Sequence, residues 1–168
     1  MKDSIKLLLL WYHKNDYDLP WRKTTNPYKI WISEIMLQQT QVNTVKAYYN
    51  KWIKKFPTIQ KLADSNIDDI LKVWEGLGYY QRAHNIHIAS KIIIKKYNGE
   101  IPNSYIDLIK LRGIGDYTAS AILSIAYNKS YPAIDGNLKR VISRLYMIDD
   151  IKNIINIAKS KISSIMKS

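Results

Sequence analysis

The chain is expected to fold as an all-α protein, and three observations carry that expectation. Apolar residues recur at helical spacing from end to end, no alternating strand of convincing length is present, and no repeat or low-complexity linker breaks the pattern. The 168 residues are 46% hydrophobic and 11% aromatic, which excludes wholesale disorder. A chain of this length buries roughly 70% of the surface that its unfolded form exposes.

Each helix has a local reason. Residues 5–12 are apolar and start a first helix that ends in the polar Asn15-Asp16-Tyr17-Asp18. Pro20 and Pro27 bracket a loop. Residues 28–38 and 42–56 then read as two amphipathic helices, with Thr40 an expected N-cap between them. Asn66-Ile67-Asp68-Asp69 opens a helix running to about Trp74; Gly76-Leu77-Gly78 breaks it, and residues 80–97 continue as a long one. Ser104 and Asp107 resemble a capping box before a short helix. Leu111-Arg112-Gly113-Ile114-Gly115 is a tight turn into a helix over about 116–127, and Pro132 closes the following loop. Helices over about 136–147 and 151–166 finish the chain.

The balance of 26 Lys+Arg against 14 Asp+Glu gives a net charge of +12, spread evenly along the chain without a basic tail. Such a surface suits a polyanion, and it equally suits an ordinary lysine-rich exterior. With no Cys there is no disulfide scaffold, no thiolate zinc site and no cysteine-ligated iron–sulfur cluster. Leu7 to Trp11 is too short to span a bilayer and lacks a small-residue cleavage site, so neither a membrane span nor a signal peptide is expected.

The places where acids are missing are more informative. Between residues 19 and 63 the only acid is Glu34, among eight bases; between 117 and 148 it is Asp135, among four. Glu34 sits in the apolar run Trp31-Ile32-Ser33-Glu34-Ile35-Met36-Leu37. Desolvation there favours the neutral carboxyl and raises its pKa. Asp135 precedes Gly136-Asn137 at a helix start, where N–H groups favour the anion. One carboxyl tuned as an acid and one held as an anion is the division of labour that cleaves glycosidic bonds. An exposed helix edge for Glu34 and a plain N-cap for Asp135 fit the same pattern.

Three junctions could face a ligand. Gly113 and Gly115 let the backbone turn sharply, so that the turn resembles a helix-hairpin-helix whose N–H groups hold a phosphate, although an ordinary helix connection reads the same way. Gln38-Gln39-Thr40-Gln41 is a polar cluster between helices that could enter a DNA groove or replace an extruded base, or simply cap. In Gly76-Leu77-Gly78-Tyr79-Tyr80 the Leu and Tyr could wedge between bases or pack inward. His13, His84 and His87 lack metal-ligand spacing, and no nucleophile elbow or P-loop is present.

Together these pieces resemble the adenine DNA glycosylases of the helix-hairpin-helix superfamily, which also contains endonuclease III. The resemblance covers about residues 10–147, in the order Leu19-Pro20-Trp21-Arg22, residues 27–42 with the specific run Met36-Leu37-Gln38-Gln39-Thr40-Gln41, Trp74 to Tyr80, the 111–117 hairpin, and Asp135 to Val141. It implies a six-helix lobe over 18–134, with the hairpin at about 105–127, and a second helical lobe from 1–17 and 135–168, with the active site in the cleft between. It implies Glu34 as the acid that protonates adenine and then handles water, Asp135 as the carboxylate that stabilises an oxocarbenium-like sugar, and Asn137 as its orienting partner. Tyr117 stands where the endonuclease III branch carries a lysine nucleophile; a tyrosine forms no Schiff base, so a monofunctional enzyme is implied. Trp21, Arg22 and Leu37 match the pocket for the flipped adenine. Gln38, Gln39, Thr40, Leu77 and Tyr79 match residues that fill the vacated stack and touch the opposite base, and Gly113 and Gly115 match the phosphate clamp.

The partner so implied is duplex DNA with adenine opposite 8-oxoguanine or guanine, bound by a monomer at the nucleoid in the cytoplasm. Family members continue into a four-cysteine iron–sulfur cluster and a further domain. This chain has no Cys to ligate that cluster, so no cofactor is expected. A thymine or uracil mismatch glycosylase, also compatible with Tyr117, and a non-catalytic DNA-binding descendant are the alternatives.

Overall fold

In a computed structural model the described residues, 2–15 and 18–165, form helices joined by turns and loops, with no strand among them. The order is α1 (Lys2–Lys14), a 3₁₀ turn (Pro20–Arg22), α2 (Pro27–Leu37), α3 (Val42–Lys55), α4 (Ile59–Ala63), α5 (Ile67–Trp74), α6 (Gln81–Tyr97), α7 (Tyr105–Leu108), α8 (Asp116–Tyr127), α9 (Gly136–Tyr146) and α10 (Ile151–Ile165). The expected end of the last helix at 166 and the expected stop at Asp16-Tyr17 lie outside the described residues. None of the described helices is long and apolar enough to cross a membrane.

α2 is the axis of the larger part. Asn26 starts it by accepting a hydrogen bond from the Lys29 backbone N–H at 3.1 Å, and Pro27 fills the first helical position, where no N–H is needed. From Ile30 to Met36 every side chain is buried, because α3, α6 and α8 all pack against it. Around it lies an aromatic core in which Trp31, Trp52 and Trp74 are fully buried. The Trp52 and Trp74 rings meet edge to face at 5.4 Å, a geometry worth about 1 kcal/mol beyond area burial. Tyr28 accepts from Trp52 Nε1 at 3.2 Å and donates to the Phe56 carbonyl at 2.8 Å, while the buried Trp31 Nε1 has no hydrogen-bond partner.

Ile142, Ile154 and Ala158 form a second, smaller apolar cluster, with Ile134, Leu138 and Tyr146 packed against it. α9 and α10 supply nearly all of it. α1 leaves Leu7, Leu8, Leu9, Leu10 and Trp11 each more than half exposed.

Three local readings need correction. Thr40 is not the N-cap of α3: Gln41 occupies that place without a side-chain bond, and the Thr40 hydroxyl accepts instead from Arg82 Nη2 at 3.1 Å. Ser104 caps α7 by backbone position alone. Residues 57–65, to which the sequence pattern assigns no element, contain α4, whose cap is Thr58 accepting from the Lys61 N–H at 3.2 Å.

Candidate active site

Glu34 lies two turns into α2 and is 4% exposed. Burial among apolar side chains pushes its carboxyl above the ordinary value. The Tyr117 hydroxyl, within hydrogen-bonding reach, and the charge of Arg22 pull it back down, while the negative Asp135 raises it further. Tyr117 is the second residue of α8, the helix packed on α2, and is only 37% exposed. Its phenol is raised, by burial first and then by the charge of Glu34. Residues from four separate segments thus share one electrostatic neighbourhood.

Asp135 is the N-cap of α9 and half-buried. One carboxylate oxygen accepts from the Leu138 N–H at 2.7 Å and the other from Asn137 Nδ2 at 3.1 Å. Asn137 in turn accepts from Arg140 at 3.0 Å. The N-cap role and a role in chemistry are therefore compatible: capping fixes the carboxylate at the positive end of the helix dipole. A cleft of about 430 Å³ opens alongside, lined by Asp116, Tyr117, Ser120, Ile134, Lys139 and Lys159 among others. Glu34 does not line it; Tyr117, whose hydroxyl acts on the Glu34 carboxyl, does.

The expected pocket and interface residues divide. Arg22 is exposed and near enough to act on Glu34, and Leu37 is half-buried against the core. Trp21 is 3% exposed, edge-on to Tyr49 at 5.3 Å, so its ring packs the core and does not line the cleft. Leu77 is likewise 5% exposed: the Gly76–Gly78 turn points it inward, which removes it as an exposed wedge and leaves Tyr79, 61% exposed, at the tip. Gln38 donates to Thr118 Oγ1 at 3.4 Å, Gln39 is exposed with φ 58°, and Tyr79 has φ 50°. The hairpin between α7 and α8 presents Gly113 and Gly115 to solvent. Gly113 has φ 81°, and a Cβ there would meet Asn85 Cβ at 2.9 Å, so glycine is required.

Two features escaped the sequence reading. Tyr105 and Tyr131 stack at 5.6 Å on the rim of the cleft, and Arg82, one of only five arginines, is buried beneath two of the candidate junctions. The rarity of arginine beside 21 lysines was the one available signal for it. A four-cysteine iron–sulfur cluster does not fit the residues present: the chain has no Cys, and the described residues contain no group of three or more His, Asp or Glu able to hold a metal ion.

An all-helical fold with a glycine hairpin between two helices is the arrangement of a helix-hairpin-helix DNA-repair protein. Comparison with known proteins agrees. The profile described as "HhH-GPD superfamily base excision DNA repair protein" matches residues 32–163, and the chain belongs to that superfamily. It is 56% identical over 143 residues to an adenine DNA glycosylase of Buchnera aphidicola subsp. Baizongia pistaciae, covering 84% of this chain and 41% of that protein. Against the Homo sapiens adenine DNA glycosylase it is 39% identical over 150 residues, covering 84% and 28%. The chain thus spans less than half the length of these curated relatives. Among solved structures, a thermostable thymine-DNA glycosylase superposes with a TM-score of 0.86 at 28% identity, over 95% of this chain and 76% of that one. A trapped endonuclease III–DNA intermediate, at 24% identity and TM-score 0.80, shares the fold.

Proposed function

We propose that this chain is the catalytic part of a monofunctional DNA glycosylase that removes adenine mispaired with 8-oxoguanine or guanine in duplex DNA. The observation that supports this reading is that a buried Glu34, its carboxyl raised by burial, and the helix N-cap Asp135 share one electrostatic neighbourhood with Tyr117. Adenine leaves poorly as an anion. Glu34 would donate its proton to a ring nitrogen as the bond between base and sugar C1′ breaks, with the electron pair departing on the neutral base. The sugar becomes oxocarbenium-like, and Asp135, oriented by Asn137, opposes that positive charge. Water then adds to C1′, giving its proton to the Glu34 carboxylate and leaving an abasic site. Tyr117 supplies no amine, so the strand stays intact.

The net charge of +12, the exposed hairpin and the polar turns at 38–40 and 79 support a duplex DNA partner. The reading takes the protein to act as a monomer at the nucleoid, by carboxyl chemistry without a cofactor. Relatives named as adenine DNA glycosylases at 39–56% identity favour adenine. The 28% structural neighbour named for thymine is the reason to test thymine too.

The test incubates purified protein under single-turnover conditions with duplexes carrying A opposite 8-oxoguanine, A opposite G, or T opposite G. Alkali-labile sites are expected on the adenine duplexes only. Glu34→Gln and Asp135→Asn are each expected to slow release by about 100-fold or more, with DNA binding kept. Equal release by wild type and Glu34→Gln would overturn the mechanism; release of thymine alone would overturn the substrate.

A further inference from the structure

We infer that Arg82 is a positioning residue that locks the 38–40 turn and the 77–79 turn into one DNA-facing unit and ties that unit to the end of the helix carrying Glu34; its bearing on catalysis rests on the function proposed above. The side chain is 8% exposed, yet its guanidinium is almost fully used. Nη1 donates to the carbonyls of Ile35 at 3.1 Å, Met36 at 2.9 Å and Gln38 at 2.6 Å. Nη2 donates to Thr40 Oγ1 at 3.1 Å and to the carbonyls of Leu77 at 3.3 Å and Gly78 at 3.2 Å. Its central carbon Cζ lies 5.2 Å from the centre of the Trp74 ring and 5.3 Å from that of Tyr79.

Two consequences follow from this placement. Ile35 and Met36 belong to the last turn of α2, where the regular helical bonds run out and the carbonyls form the negative end of its dipole; besides Arg82, the Ile35 carbonyl accepts only from the Gln38 N–H at 3.3 Å among the bonds at this end. A cation there satisfies them and fixes the end of the helix that carries Glu34. The second consequence concerns the turns. Gln39 and Tyr79 both hold left-handed backbone, with φ 58° and 50°, which non-glycine residues adopt only when their surroundings enforce it. Each follows directly a residue whose carbonyl Arg82 binds, Gln38 and Gly78. One planar fork with several donors can bridge two segments in this way; a lysine ammonium cannot reproduce its geometry. Gln38 also donates to Thr118, next to Tyr117, so the same unit touches the helix that shares its hydroxyl with Glu34.

The test reads amide hydrogen exchange by mass spectrometry on the intact chain, in peptides covering 36–42, 75–81 and, as reference, 45–56. Thr40→Val removes the bond from Arg82 and the hydroxyl's long bond to the Gln38 carbonyl, both within one turn, and is expected to speed exchange about threefold in both 36–42 and 75–81. Arg82→Lys is expected to speed both by on the order of tenfold and to leave 45–56 unchanged. Faster exchange in one turn alone, or equally in all three peptides, overturns the linkage. If Arg82→Lys does not fold, Thr40→Val decides the matter. On DNA, Arg82→Lys is expected to weaken binding to an A:8-oxoguanine duplex about tenfold while binding to fully paired duplex stays within about twofold. An equal loss on both overturns the positioning role. A wild type that releases no adenine would end the proposed function, whereas exchange and binding still decide the part played by Arg82.

Discussion

Burial governs what Glu34 can do, and it works against the fold in the same measure. A carboxyl whose folded pKa is raised above its ordinary value of 4.5 holds its proton more tightly in the native state than in the unfolded one. Its contribution to stability is therefore fully present below about 4.5 and is lost as pH rises through the elevated folded value. Above both values the charged form is buried at a cost. Glu34→Gln is accordingly expected to melt roughly 2–4 °C higher than wild type at pH 8, equivalent to about 1 kcal/mol, with the difference fading below pH 4.5. Calorimetry across pH checks this. The rate of base release should fall with rising pH over the same window, because only the protonated acid donates. Much at this scale was legible before the fold was known, since an acid in a run of isoleucine, tryptophan and methionine is desolvated wherever that helix packs. Trp21 and Leu77 were less so, because which way a turn points a side chain depends on tertiary packing.

At the scale of elements, the hairpin between α7 and α8 separates two glycines that look alike in the sequence. Gly113 has left-handed backbone and no space for a Cβ beside Asn85, whereas Gly115 has φ −96° and open space. Gly113→Ala is expected to destabilise by about 1–3 kcal/mol, while Gly115→Ala stays within about 0.5 kcal/mol, both read from denaturant unfolding. The sequence shows a turn at this place; only contact with α6 reveals which glycine it cannot lose. The start of α5 was similarly readable, because Asn66 stands directly before a helical pattern and accepts from the Asp68 N–H, whereas the cap of α2 at Asn26 was not read from the sequence. α4 was not, since five residues give too little periodicity to register. Thr40 misled for a chemical reason: a buried guanidinium competes successfully for its hydroxyl.

Across the whole molecule, the two carboxyls are carried by different apolar clusters. Glu34 stands on the large core built from Trp21 to Leu123, while Asp135 opens the helix whose buried face is little more than Ile142 packed with Ile154 and Ala158. The sequence places both acids near helix features, but their shared electrostatic neighbourhood, and the bridging of the 38–40 and 77–79 turns by Arg82, arise between residues dozens of positions apart. No local pattern encodes this.

That unequal footing has a thermal consequence. Among the described residues the smaller cluster holds three buried side chains against more than two dozen in the larger, so warming is expected to withdraw Asp135 while the tryptophan core is still intact. Heat inactivation is therefore expected to precede the loss of tryptophan fluorescence, by about 5 °C or more. Ile154→Ala, which trims the smaller cluster alone, should widen that gap.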